Sequence, residues 1–211
     1  MQMDMGAFVP EFIRTVLHVD MNKWLESEIS NFPPGRVDRV GDLVVVGNRL
    51  AWLTPELGCE GGFRHLVPDG TYPVYASGVS SGGHHGEPER YYVNMLFIPL
   101  AEPERLTAPS WNWGYGGVSQ ELGGYACLMS GQASRVTRED PQNEAIARAR
   151  KALLSDGAPA GKDNWANEIV APETGANVLA FPVEDDGSVC GFEARSEDGE
   201  ILAVLLVNHL H

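Results

Sequence analysis

The spacing of the hydrophobic residues changes close to residue 36. Before that point apolar side chains recur at the spacing of a helix face, at Phe12, Ile13, Val16 and Leu17. A second short helix is predicted around Trp24 and ends before Pro33. We therefore expect one domain over residues 1–211, in which a helical segment over residues 1–35 packs on a β-rich body over residues 41–211.

From residue 41 onward the apolar residues form short runs between glycine- and proline-containing turns, as in β-strands. The clearest runs are residues 42–46, 49–53, 72–75, 91–98, 122–129, 177–183, 189–195 and 200–208. The first two flank Gly47-Asn48, which predicts a two-residue hairpin. The last two flank Asp198-Gly199, which predicts a type I′ turn.

One helix is predicted within the strands, near residues 141–156. Asp140 suits its N-cap and Pro141 its first position, while the expected buried stripe is Ala145, Ile146, Ala149 and Leu153. Because most connections suit antiparallel pairing, the fold class is α+β and mainly β. We expect an antiparallel sheet or sandwich with an N-terminal helix and this inserted helix.

A short motif occurs twice, as Asp69-Gly70-Thr71 and as Asp186-Gly187-Ser188. Each copy precedes two strands, of which the second is apolar. The repetition predicts that the two hairpins occupy related places in the fold. Two unrelated hairpins that share common turn residues are the alternative.

The strongest compositional signal is a formal net charge of −14. Such a charge repels nucleic acid and anionic membranes, so neither is an expected partner. A basic protein is the expected partner, and solubility alone is the alternative explanation of the charge. The three cysteines, Cys59, Cys127 and Cys190, form no disulfide framework or zinc motif, and residues 1–20 lack the pattern of a signal peptide. These features favour a cytoplasmic protein.

Several of these segments resemble a bacterial family that is classed only as a domain of unknown function. The resemblance lies in Gly41–Leu50 with Thr54-Pro55, Asp69–Val74, Gly124–Met129, Trp165–Asn167, Asn177-Val178 and the Asp186-Gly187 hairpin. The family tends to carry aspartate where this chain has Thr54, Ser130 and Asn208. The resemblance implies a fold and a bacterial origin, and it supplies no activity.

Two local patterns suggest chemistry, and both lie in or beside the loop over residues 77–89. Gly78-Val79-Ser80-Ser81-Gly82 fits the G-x-S-x-G nucleophile elbow, but the residues that follow do not begin a helix. His84, His85 and Glu87 could ligate a metal, yet a further ligand at usable spacing is missing. We predict no catalytic residue, metal or cofactor, and a hydrolase that uses Ser80 or a loop histidine is the alternative function.

The remaining candidate is an aromatic, glycine-rich stretch that contains Trp111, Trp113 and Tyr115. Aromatic residues in such a stretch serve equally well to line a ligand groove or to close one end of a β core. The hypothesis is a non-enzymatic binding protein. Its contact residues would be these three aromatics together with His84, His85 and Glu87, and its oligomeric state stays open.

Overall fold

The computed structural model describes residues 37–57, 66–81, 90–106, 110–114, 122–140, 142–154, 164–183 and 188–209. The helical segment predicted over residues 1–35 lies outside these ranges, so its packing stays a prediction.

The described part of the chain contains ten β-strands and two α-helices. The strands are β1 Val37–Val45, β2 Leu50–Leu53, β3 Gly70–Ser81, β4 Arg90–Pro99, β5 Ser110–Gly114, β6 Tyr125–Ser130, β7 Ala166–Ala171, β8 Ala176–Pro182, β9 Ser188–Arg195 and β10 Ile201–His209. The helices are α1 Gly131–Glu139 and α2 Glu144–Leu154, and two short 3₁₀ helices span Pro55–Leu57 and Pro103–Leu106.

The strands form two antiparallel sheets. The larger sheet has the order β1-β3-β4-β10-β9-β5, and the smaller one has the order β2-β6-β8-β7. One face of the larger sheet packs on the smaller sheet around a core that includes Leu43, Trp52, Leu96, Phe181 and Leu206. This arrangement confirms the predicted class, α+β and mainly β, with an antiparallel sandwich.

Both helices lie on the other face of the smaller sheet. The predicted stripe of Ala145, Ile146, Ala149 and Leu153 is confirmed, because all four are buried there in a cluster that also includes Cys127. The described chain is thus layered as larger sheet, smaller sheet and helices.

The predicted hairpin around Gly47-Asn48 is wrong. Both residues do have positive φ, 89° and 55°, as their identities suggested. However, β1 pairs with β3 in the larger sheet, whereas β2 pairs with β6 in the smaller sheet. The turn therefore carries the chain from one sheet to the other, and the Asp69 carboxylate holds it by accepting hydrogen bonds from the backbone N–H groups of Gly47 and Asn48.

The predicted start of the inserted helix is also wrong, by three residues. Asp140 is the C-cap of α1, a helix that the sequence analysis missed. The cap of α2 is Asn143, whose side-chain oxygen accepts a hydrogen bond from the N–H of Ala145. Helix α1 was not predicted because it buries only Ala133 and Thr137, and these two residues form no apolar stripe.

A third correction concerns the turn between β9 and β10. A type I′ turn needs positive φ at both central residues, but Gly199 alone has it, at 82°. The N–H of Gly199 donates to the carbonyl of Ser196. The connection is therefore a three-residue loop with a bulge at Gly199.

The two Asp-Gly motifs do precede related hairpins. Hairpin β3–β4 and hairpin β9–β10 lie side by side in the larger sheet and pair through their second strands, β4 and β10. The flanking strands β1 and β5 extend this symmetry to all six strands. The predicted relation in the fold is confirmed, while residues 186–187 themselves lie outside the described ranges.

Candidate functional site

An open groove of about 530 Å³ lies at one end of the larger sheet, where β3 begins and β4 ends. Strand β3 contributes Thr71, Tyr72, Pro73 and Tyr75 to its wall. The chain that follows β4 contributes Glu102 and Arg105, among others. We call this feature the tyrosine groove.

Strand alternation explains how Tyr75 reaches the groove. Val74 and Ala76 belong to the core between the sheets, so Tyr75 faces the opposite side of the strand. Tyr75 is buried, and this burial raises the pKa of its hydroxyl. The Asp42 carboxylate raises this pKa further, whereas the Arg39 guanidinium lowers it.

Tyr72 is held by its own loop. Its hydroxyl donates a hydrogen bond to the carbonyl of Pro68 at 3.0 Å. Burial raises its pKa, and the nearby Asp69 carboxylate adds to the effect. The ring is half-buried and part of it packs against the core, so the loop fixes its position in the wall.

The chain that follows β4 brings two charged side chains to the groove, Arg105 and Glu102. Arg105 makes a bidentate contact with Glu200, with N–O distances of 3.2 and 2.5 Å. These hydrogen bonds raise the pKa of Arg105 and lower that of Glu200, although both side chains are exposed. Glu102 is also exposed, and its carboxylate has no ion pair with any described residue. Glu102 is therefore the carboxylate in this wall that is available to a cation.

Carboxylates outnumber guanidinium groups around the groove. Glu102 and Arg105 line the groove. The charged side chains close enough to shift the pKa of Tyr72, Tyr75 or Arg105 are the acids Asp42, Asp69, Asp198 and Glu200 and the base Arg39. The local excess has the same sign as the net charge of −14. The groove thus offers tyrosine and proline surface in a negative field.

A third tyrosine, Tyr125, lies on the helix side of the smaller sheet. Its hydroxyl donates to the Glu56 carboxylate, and burial raises its pKa strongly. The fully buried thiol of Cys127 has a raised pKa for the same reason, and it therefore stays protonated at neutral pH. Because Tyr125 and Cys127 are both buried in the cluster between the smaller sheet and the helices, we assign them a structural role.

The raised tyrosine pKa values predict a loss of stability in alkaline solution. Folding favours the protonated form of Tyr72, Tyr75 and Tyr125, whose ordinary pKa is 10.0. The stabilisation is complete below this value and is lost as pH rises through the native pKa values. We expect tyrosinate absorbance to increase above pH 10 over the same pH range in which the circular dichroism signal of the folded chain is lost. In Tyr125→Phe, less of the unfolding should depend on tyrosine ionisation. Full tyrosine ionisation in a still-folded chain would contradict this.

The structure places only part of the predicted contact surface. Trp111 and Trp113 lie on the edge strand β5, in register with Ala194 and Phe192. Tyr115, His84, His85 and Glu87 lie outside the described residues. Strand β3 continues to Ser81 at the end of the larger sheet that is opposite the tyrosine groove, whereas Trp113 on β5 lies level with Tyr75 of the groove wall. The two predicted contact segments therefore leave the described part of this sheet at different levels.

The surroundings of Ser80 differ from those of a nucleophile elbow. Ser80 lies within β3 and pairs with Tyr91 on β4, whereas an elbow is a sharp turn between a strand and a helix. Packing requires glycine at position 78, because a Cβ atom there would collide with the carbonyl oxygen of Tyr92. The G-x-S-x-G match thus reflects a close approach between two strands.

Two of the three positions at which the resembled family tends to carry aspartate lie at opposite ends of β2. Thr54 follows the last residue of β2, whereas Ser130 pairs with Leu50 at the first residue of that strand. Asn208 lies on β10 in the other sheet. Aspartates at positions 54 and 130 would therefore not meet at one site in this fold.

The tyrosine groove itself was not found by the sequence analysis. Its walls come from residues 71–75 and 99–105, which are brought together by the pairing of β3 with β4. The sequence feature that could have indicated the groove is the alternate spacing of Thr71, Pro73 and Tyr75, which places these three residues on one face of β3.

Comparison of the chain with protein-family models, with curated proteins and with solved structures finds no match in any of the three. The resemblance to a bacterial family therefore stays a prediction. None of the described helices is long and apolar enough to cross a membrane. The described residues also hold no group of three or more His, Cys, Asp or Glu side chains that could bind a metal ion.

Proposed function

We propose that the chain is a non-catalytic binding protein for a basic protein partner, and that the tyrosine groove receives a lysine- or arginine-bearing segment of that partner. The observation that carries this proposal is the exposed Glu102 carboxylate, which has no ion pair with the described residues and lies beside tyrosine and proline surface.

The chemistry of the groove suits a cationic side chain with an aliphatic stem. Lysine and arginine pack their methylene groups on apolar surface while the charged head stays in water. Tyr72 and Pro73 supply such surface, and Glu102 supplies the opposite charge. A cation can in addition stack on a tyrosine face.

The net charge supports the same partner class. A formal net charge of −14 accelerates the encounter with a basic protein and repels acidic proteins. A cationic toxin that is held inactive by this chain is one partner with the required chemistry. Its association rate would fall steeply as salt is added.

An octalysine peptide serves as a probe of this proposal. Titration into the isotope-labelled full chain, followed by nuclear magnetic resonance, should shift the amide signals of Tyr72, Tyr75 and Glu102 more than those of helix α2. Added salt should reverse the shifts. Shifts spread evenly over all exposed carboxylates would contradict a groove site and would leave general charge attraction as the explanation.

A further inference from the structure

The outer face of the larger sheet, which points away from the smaller sheet, is apolar. Tyr75, Phe97, Leu205 and Phe192 lie opposite one another on four neighbouring strands. Directly opposed residues of an antiparallel pair share a face, so these four side chains form one row. The register extends the row to the position of Trp113 on β5.

This face is also buried. Phe97 is 1% exposed, Phe192 is 2% exposed and Leu205 is fully buried. Met95 and Val207, one row further along, are 2% and 5% exposed. An open face of a sheet would expose such side chains, so this face requires a cover.

The described elements cover this face only at its groove end. The smaller sheet packs on the opposite face of the larger sheet, around the core that contains Leu96 and Leu206. Helices α1 and α2 pack on the smaller sheet, on the side away from the larger one. The short 3₁₀ helix Pro103–Leu106 contacts β10 and buries Leu106 outside both clusters, at the groove end of the sheet. Apart from it, the described residues place no α-helix and no second sheet on the outer face.

The segment before β1 has the length and the pattern that the face requires. Residues 1–36 lead directly into β1, the edge strand of this same sheet. Six strands span about 24 Å at a spacing of about 4.8 Å, and a helix of 16 residues has about that length. The apolar stripe at Phe12, Ile13, Val16 and Leu17 offers a matching surface. The other stretches outside the described ranges are nine residues or shorter.

We propose that residues 1–36 dock across the outer face of the larger sheet of the same molecule, with their apolar stripe on the row from Tyr75 to Phe192. This inference does not depend on the proposed function. It does bear on the groove, because Tyr75 belongs to both the row and the groove wall. The docked segment therefore reaches the margin of the tyrosine groove.

Photo-crosslinking in the full chain tests the proposal directly. The variant Phe192→p-benzoylphenylalanine carries a photoreactive ring at the centre of the face. An equal mixture of unlabelled and nitrogen-15-labelled protein is irradiated, digested and analysed by mass spectrometry. The proposal requires crosslinks from position 192 to a peptide within residues 1–36 of the same copy. Crosslinks to residues 1–36 of a second copy, or to other segments only, would overturn it.

A second pair of variants covers the case in which the bulky ring prevents folding. Leu17→Asp places a charge on the apolar stripe, whereas Thr15→Asp places the same charge beside it. The docked segment predicts that Leu17→Asp lowers the melting temperature by about 5 °C or more and that Thr15→Asp lowers it by less than about 2 °C. Equal shifts for the two variants would contradict docking through this stripe.

Discussion

Trp52→Ala should lower the free energy of unfolding by about 3–5 kcal/mol. The indole ring is fully buried in the core between the two sheets, where β2 pairs with β6. Its removal leaves a large cavity that the paired strands cannot close. Because small domains are stable by only about 5–15 kcal/mol, this loss would be a large fraction of the total. Urea unfolding followed by circular dichroism measures it.

Trp52→Phe is the matched control. It keeps an aromatic ring in the core and removes an indole N–H that has no hydrogen-bond partner among the described residues. We expect a loss below about 2 kcal/mol, because the cavity is smaller and an unsatisfied buried donor disappears. A Trp52→Ala variant that unfolds within about 1 kcal/mol of the natural chain would contradict the closed sandwich core.

The second large effect is expected at Asn177, which joins the two sheets. Its side-chain oxygen accepts a hydrogen bond from the N–H of Val44, and its side-chain nitrogen donates to the carbonyl of Asp42, both at 2.8 Å. Strand β1 is an edge strand, so these backbone groups have no neighbouring strand on that side. The side chain of Asn177 thus takes the place of a strand along this edge.

Asn177→Leu should therefore cost about 2–3 kcal/mol, since it leaves a backbone donor and a backbone acceptor without partners in a partly buried region. Hydrogen exchange at the Val44 amide should accelerate in the same variant. Asn167→Ala is the control, because it removes only the bond that Asn167 accepts from Asn177, and its expected cost is about 1 kcal/mol or less. Equal costs for the two variants would show that the bridge to β1 is unimportant.

The fold class could be predicted from the sequence, because the local hydrophobic patterns agree with the strands that the structure shows. Short apolar runs between turns predicted the antiparallel sandwich, and the repeated Asp-Gly motif predicted two hairpins in related places. The buried stripe of helix α2 followed from its spacing alone.

The wrong predictions have a common physical origin. Gly47-Asn48 has the backbone conformation of a hairpin turn, but partners from elsewhere in the chain decide where the strands go. Asp69 holds the turn, and β3 and β6 provide the neighbouring strands. Asp140 likewise looked like an N-cap because the helix before it carries almost no apolar residues. The tyrosine groove was missed because its two walls are distant in sequence.

The most direct test of the proposed binding site is a pair of charge reversals. Glu102→Lys and Glu144→Lys change the net charge equally, and Glu144 lies on α2 with its side chain 95% exposed. An exposed charge contact is worth about 1 kcal/mol, so reversal at Glu102 should weaken octalysine binding by about fivefold or more at low salt. Glu144→Lys should weaken it by less than about twofold. Calorimetric titration of both variants decides the matter: a selective loss at Glu102 is the predicted result, and an equal loss in both variants would contradict a specific site in the tyrosine groove.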